Sequence, residues 1–180
     1  MSITALQEYT RFAKYAKYIP SKHRRETWLE QVERVFDMHV TKLGPDIMSQ
    51  IKDDFDATKK MVIQKRVLGS QRVLQFGGDP VLKKNARLYN CTVSYCDRPR
   101  FFQEAMWLLL CGCGVGFSVQ FPHIDKLPDI SPVDENDTII YQIPDTIEGW
   151  SDAIGVLLSS YFDGDNVSFP EYQNKRVIFD

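Results

Sequence analysis

Hydrophobic positions recur at helical spacing through the first third of the chain and give way to β-rich clusters punctuated by glycine after residue 67. Residues 27–42 (TWLEQVERVFDMHVTK) predict a helix opened by a capping box, with Thr27 accepting from the backbone at Glu30 and Glu30 reaching back. Trp28, Val32, Val35 and Phe36 form its apolar face. A second helix is expected from Pro45, which suits a first turn, through Ile47, Ile51, Phe55 and Val62. The polar faces of both carry mixed charge and read as solvated, so both helices are expected to be packing elements.

Further along, VLGSQRVLQFGGDP reads as a connection, and residues 86–95 (ARLYNCTVSY) as a strand. Asp97 and Pro99 sit where a helix start wants a carboxylate and a proline, so FFQEAMWLLL is expected to be a buried helix. VGFSVQF (residues 115–121) and TIIYQI are then strands. Asp145 and Glu148 open a helix whose Trp150, Ile154, Leu157, Leu158 and Tyr161 share a face, and RVIFD closes the chain as a strand. Strand, helix, strand, twice over, predicts an α/β sheet with right-handed crossovers behind a helical lobe, the division falling between residues 1–66 and 67–180.

Composition narrows the function classes. The 180 residues, 43% hydrophobic, can bury one substantial core. A net charge of −2 gives no basic field for nucleic acid, so no nucleic-acid partner is expected. The longest apolar run, about Ala105 to Val119, falls short of the ~20 residues that span a bilayer, and the N-terminus lacks a signal-peptide core. No membrane association and a cytoplasmic location are therefore expected. Four cysteines (Cys91, Cys96, Cys111, Cys113) cluster in one stretch, which in a reducing compartment means working thiols or buried filler.

Three readings compete for the LLCGCGVGFSV run. Its glycines leave a helix and enter a strand, the reverse of a dinucleotide fingerprint, and no Gly-Lys-Ser/Thr follows. The spacing C-x4-C-x14-C-x-C fits no familiar zinc knuckle, and His23, His39 and His123 are scattered, so no metal site is expected. Three alternate glycines exceed what a helix cap needs and point to close approach by a backbone or a ligand. Cys91 itself is mid-strand, where a cysteine is ordinarily a small hydrophobe.

Taken in order, GSQRVLQFGG (69–78), NARLYNC (85–91), DRPRFFQEAMWLLLCGCGVGFSV (97–119) and IPDTIEGWSDAIGVLLSSYF (143–162) resemble ribonucleotide reductases. The likeness is to the adenosylcobalamin-dependent class, in its monomeric and phage-like branch, and runs from about Tyr9 to the last residue. The resemblance implies a ten-stranded α/β barrel, only begun in this chain, in which a thiyl radical takes the 3′ hydrogen of a ribonucleotide and a cysteine pair supplies reducing equivalents. It makes Cys91 the first member of that pair. It makes Ser70, Gln71 and Arg72 contacts to substrate phosphates, and Asn90, Gly112, Gly114 and Gly116 a wall against ribose and base. Asp97 would lie near a deoxynucleotide effector. Adenosylcobalamin, a ribonucleotide substrate and a thioredoxin-like reductant are implied likewise.

Two departures stand out: no proline precedes Ser70, and Cys113 stands where relatives carry a small non-cysteine residue. A thiyl motif like N-x-C-x-E and the second redox cysteine have no counterpart. The expectation is thus an N-terminal portion of a reductase that needs a complementing C-terminal polypeptide. The competing expectations are a non-catalytic nucleotide-binding or regulatory module that keeps the fold, and a zinc-binding scaffold.

Overall fold

The computed structural model describes residues 3–180. Contacts divide the chain into two compact units, Met1–Tyr89 and Asn90–Asp180. The sequence placed its change of character at residue 67, but the segment after it coils back onto the helices and belongs with the first unit.

In the first unit, helix α1 (Ile3–Lys14) leads through a two-residue antiparallel pair, β1 (Tyr18–Ile19) with β2 (Arg24–Arg25), into the long helix α2 (Trp28–Ile63). The capping box forms as expected: Thr27 Oγ1 accepts from Glu30 N at 3.3 Å and Glu30 Oε2 accepts from Thr27 N at 2.8 Å. Both expected helices are present, end to end across a kink at Gly44, whose φ of 77° breaks the helical path just before Pro45. Val32, Phe36 and Val62 form the buried core, with Trp28, Phe55 and Ile63 packed against it. Ile47 departs from the expected face and is 46% exposed, because it lies beside the kink, where the second helix starts a new axis. The polar face is not uniformly solvated either: Gln31 is fully buried.

The connection at 67–80 contains two short helices, α3 (Gln71–Phe76) and α4 (Asp79–Lys83), each started or stopped at a glycine. Residues Asn85–Leu88 form a 3-10 turn and not the first half of a strand, so β3 is only Cys91–Tyr95. The β-forming residues Leu88 and Tyr89 are outweighed by the turn closed through Tyr89 N to Ala86 O.

The second unit holds two β-α-β passes. Strand β3 pairs in parallel with β4 (Gly114–Ser118) across helix α5 (Arg100–Leu110), and β5 (Asp134–Tyr141) pairs in parallel with β6 (Lys175–Phe179) across helix α7 (Ile147–Tyr161). A short helix, α6 (Phe121–Ile124), follows β4 where the sequence suggested continued strand. The α/β character and the parallel crossovers match the sequence reading. The single sheet does not: among the described residues the strands pair in twos, and a ten-stranded barrel is not formed.

Helix α5 is half-buried, with only Phe101 in the core and Leu109 53% exposed, and it packs on α7. Its cap is not Asp97, whose carboxylate instead takes a 2.7 Å bond from Arg98. Helix α7 starts at Thr146, whose hydroxyl accepts from Gly149 N. Its buried positions are small residues (Gly149, Ser151, Ala153, Gly155, Ser159, Ser160) and Val156, while Trp150, Leu157 and Tyr161 of the expected apolar face are 47%, 37% and 40% exposed. Close packing selects the small stripe: a Cβ on Gly155 would stand 2.7 Å from the Phe169 ring and 3.0 Å from Gln103 Oε1. Among the described residues no helix is long and apolar enough to cross a membrane.

Candidate functional site

The parallel register places Cys91 opposite Gly114, Val93 opposite Gly116 and Tyr95 opposite Ser118. Side chains alternate along a strand, so these six positions share one face, and Thr92, Ser94, Val115 and Phe117 share the other. Helix α5 covers the second face, where Phe101 meets Phe117 at a ring separation of 5.1 Å. The first face is open: Cys91 is exposed, and Val93 and Tyr95 are 79% and 51% exposed. Cys96, Cys111 and Cys113 are all buried, and burial pushes the Cys96 thiol upward, with Asp97 adding to it. The one accessible thiol is therefore the one singled out in the sequence.

The three glycines separate into two kinds. Gly112 has φ 86° and turns the chain out of α5, its N–H donating to Leu109 O at 2.8 Å. Gly114 and Gly116 need no left-handed backbone. A Cβ on Gly114 would lie 3.6 Å from Asn90 O and 4.0 Å from Cys91 Sγ, and one on Gly116 would lie 3.8 Å from Thr92 O. Those are ordinary contacts, so neither conformation nor internal packing accounts for these two glycines. Asn90 joins the same end of the sheet, its carbonyl accepting from Gly114 N at 2.8 Å.

Beyond the open face, the Tyr95 ring lies 4.5 Å from that of His123, whose Nδ1 is buried with no hydrogen-bond partner. Asp97 is occupied locally by Arg98, which also binds Glu104.

Ser70, Gln71 and Arg72 belong to the first unit. Ser70 precedes α3 without capping it through its side chain, Gln71 Oε1 accepts from Tyr15 Oη at 2.7 Å, and the Arg72 guanidinium lies 5.2 Å from the centre of the Phe76 ring. A cavity of about 680 Å³ lies alongside, lined by Ser70 together with α2 residues including Val32, Phe36, His39 and Phe55. Sequence reasoning missed the polar anchoring of this segment. Arg34 pairs with Glu26 through two hydrogen bonds, at 2.6 and 3.0 Å, and donates to Gly77 O and Leu74 O. An arginine in a mixed-charge helix carried no signal of this, since its partners lie 8 to 43 positions away.

Among the described residues no group of three or more His, Cys, Asp or Glu could hold a metal ion. His23 sits in an exposed turn, His39 on α2 and His123 on α6.

No family profile matches the sequence. Individual relatives do: an adenosylcobalamin-dependent ribonucleoside-triphosphate reductase of Lactobacillus helveticus is 26% identical over 226 residues, covering 91% of this chain and 30% of the relative. The enzyme of the same name from Euglena gracilis is 29% identical over 154 residues, covering 76% of this chain and 21% of the relative. A solved B12-dependent (class II) ribonucleotide reductase has the same fold, with a TM-score of 0.78 at 22% identity, over 96% of this chain and 32% of that one. The chain thus spans between about a fifth and a third of the length of these relatives. Along nearly all of its own length, the chain is similar in sequence to these adenosylcobalamin-dependent reductases and in fold to the class II enzyme.

Proposed function

We propose that this chain contributes part of the substrate site of a ribonucleotide reductase, with Cys91 as one of two thiols that become a disulfide as the ribose 2′ hydroxyl leaves as water. The carrying observation is Cys91 itself: an exposed thiol on a strand, on the face left open by α5, in register with a glycine that nothing in the chain requires. A strand-borne thiol is held to the geometry that hydrogen donation and disulfide closure both demand. Gly114 and Gly116, with Asn90 beside them, leave that face bare for a ribose and base. Gly112 supports it from behind as the helix exit. Ser70, Gln71 and Arg72 offer hydroxyl, amide and guanidinium to phosphates, and Asp97 is the group nearest an effector deoxynucleotide.

The same reading places the remainder of the barrel, the thiyl cysteine and the second redox cysteine outside these 180 residues, and assigns re-reduction to a thioredoxin-like protein of the cytoplasm. Adenosylcobalamin, named for the relatives, would supply the radical when bound. The residues that would hold it are assigned mostly outside these 180 residues. Diphosphate or triphosphate substrate follows from contacts to the same phosphate segment; the triphosphate is favoured because the relatives bear that name.

The test is reconstitution with the remainder of the reductase, adenosylcobalamin, dithiothreitol and a ribonucleoside triphosphate. Turnover that requires these 180 residues, and is lost in Cys91→Ser, is the expected result. A Cys91→Ser protein that folds and turns over at the normal rate sinks the assignment and leaves a nucleotide-binding module.

A further inference from the structure

The segment read as contacting phosphates is short. Helix α3 has only six residues, too few to hold its own geometry in water. What holds it is a set of donors from elsewhere in the first unit, all converging on its C-terminal end. Leu74 O accepts from Arg34 Nη2 at 2.8 Å and from Gln31 Nε2 at 3.2 Å. Gly77 O accepts from Arg34 Nη1 and from Lys17 Nζ, each at 2.7 Å. The Arg34 fork is itself fixed by Glu26, which is 6% exposed and also accepts from Lys17 N at 3.0 Å. Cations at the last carbonyls of a helix also meet the negative end of its dipole. The fit is tight: a Cβ on Gly77 would stand 2.6 Å from Val73 O and 3.2 Å from Arg34 Nη1. At the opposite end of the helix, Tyr15 Oη donates to Gln71.

Five side chains, two from α2 and three from the segment between α1 and α2, are thus spent on fixing one six-residue helix. A surface helix of no consequence would need none of them. We propose that Arg34 is a positioning residue for nucleotide binding: it bridges Leu74 O and Gly77 O, and so fixes Ser70, Gln71 and Arg72 at the far end of α3 for a triphosphate. This rests on the reading of those three residues as phosphate contacts. The bridge needs the planar fork, because one ammonium cannot reach both carbonyls and both Glu26 oxygens together.

The experiment measures amide hydrogen exchange and the affinity for ATP and for inorganic triphosphate in the 180-residue chain, as wild type, Arg34→Lys, Arg72→Gln and the double variant. Arg34→Lys keeps the charge while removing the planar fork, and Glu26→Gln is a second route to the same loosening should Arg34→Lys not fold. The expected result is faster exchange confined to residues 71–77 and at least tenfold weaker triphosphate binding. In the Arg72→Gln background that tenfold should shrink to about onefold, since a positioning residue acts through the contact it places. Equal losses in both backgrounds mean a general stability role and overturn the proposal, as does unchanged exchange at 71–77. Wild-type chain with no affinity for triphosphate, or Arg72→Gln with full affinity, refutes the phosphate-contact reading itself and the functional half of the proposal with it; protection of 71–77 by Arg34 would then survive as structure alone.

Discussion

Replacing Gly114 by alanine separates a glycine kept for a ligand from one kept for the fold. The added methyl would sit 3.6 Å from Asn90 O and 4.0 Å from Cys91 Sγ, with no backbone strain to relieve. Folding therefore loses nothing, and the reduced freedom of the unfolded chain stabilises the variant by ~0.5–1 kcal/mol. The same methyl points into the open face that carries Cys91. If a ribose packs there, the overlap costs ~1–3 kcal/mol, or roughly five- to 150-fold in apparent affinity. Urea unfolding of the isolated chain reads the first quantity, and KM in the reconstituted enzyme reads the second. A variant that loses more than about 1 kcal/mol of stability has a structural glycine at 114, and one with unaltered KM has no ligand on that face; either outcome refutes the reasoning. Gly116→Ala, with its nearest neighbour at 3.8 Å, should behave the same way.

Brief treatment of the native chain with iodoacetamide should label Cys91 first by mass spectrometry, because Cys96, Cys111 and Cys113 are 3%, 1% and 2% exposed; comparable labelling at any of those three contradicts the packing of α5. Gly149→Ala should destabilise the second unit, since its Cβ would lie 2.2 Å from Pro144 O, a backbone atom that cannot rotate away. Overpacking of ~3 kcal/mol less the ~1 kcal/mol that alanine gains in a helix leaves a loss of ~2 kcal/mol, and an equal or higher Tm would contradict it. The Glu30 carboxyl is held well below its ordinary 4.5 by the Arg24 guanidinium first, then by Lys22 and the Thr27 N–H. A depressed carboxylate stabilises the fold above its unfolded pKa and loses that contribution as pH falls through the folded value. Acid titration of Tm should therefore drop below about pH 4.5 in the wild type and flatten in Glu30→Gln; parallel profiles would show that the Arg24–Glu30–Thr27 arrangement contributes nothing.

Local chemistry is what the sequence displayed. The Thr27 box, the helix beginning next to Pro45 and the strand at Cys91 are each set by residues within one or two turns, and all three form. The reading went astray where a distant partner decides. On α7 the large apolar residues pointed to Trp150, Leu157 and Tyr161 as the inner face, but the neighbour there is α5 with Gln103, which bonds Asp152, and only a stripe as small as Gly155 and Ser159 admits it. The same blindness hid Arg34, whose role depends on carbonyls of a segment that looked like plain connection. The candidate site divides along this line. Cys91, Asn90, Gly114 and Gly116 come together by strand register; the β-α-β pattern implies the parallel pairing of their strands, while the resemblance to the reductases is what grouped the four residues. For Ser70, Gln71 and Arg72 the pattern implied only proximity in sequence. What ties their segment down is the convergence of Tyr15, Lys17, Gln31 and Arg34 on Gln71, Leu74 and Gly77, so the positioning proposed for Ser70, Gln71 and Arg72 stands or falls with a polar network that the motif itself does not display.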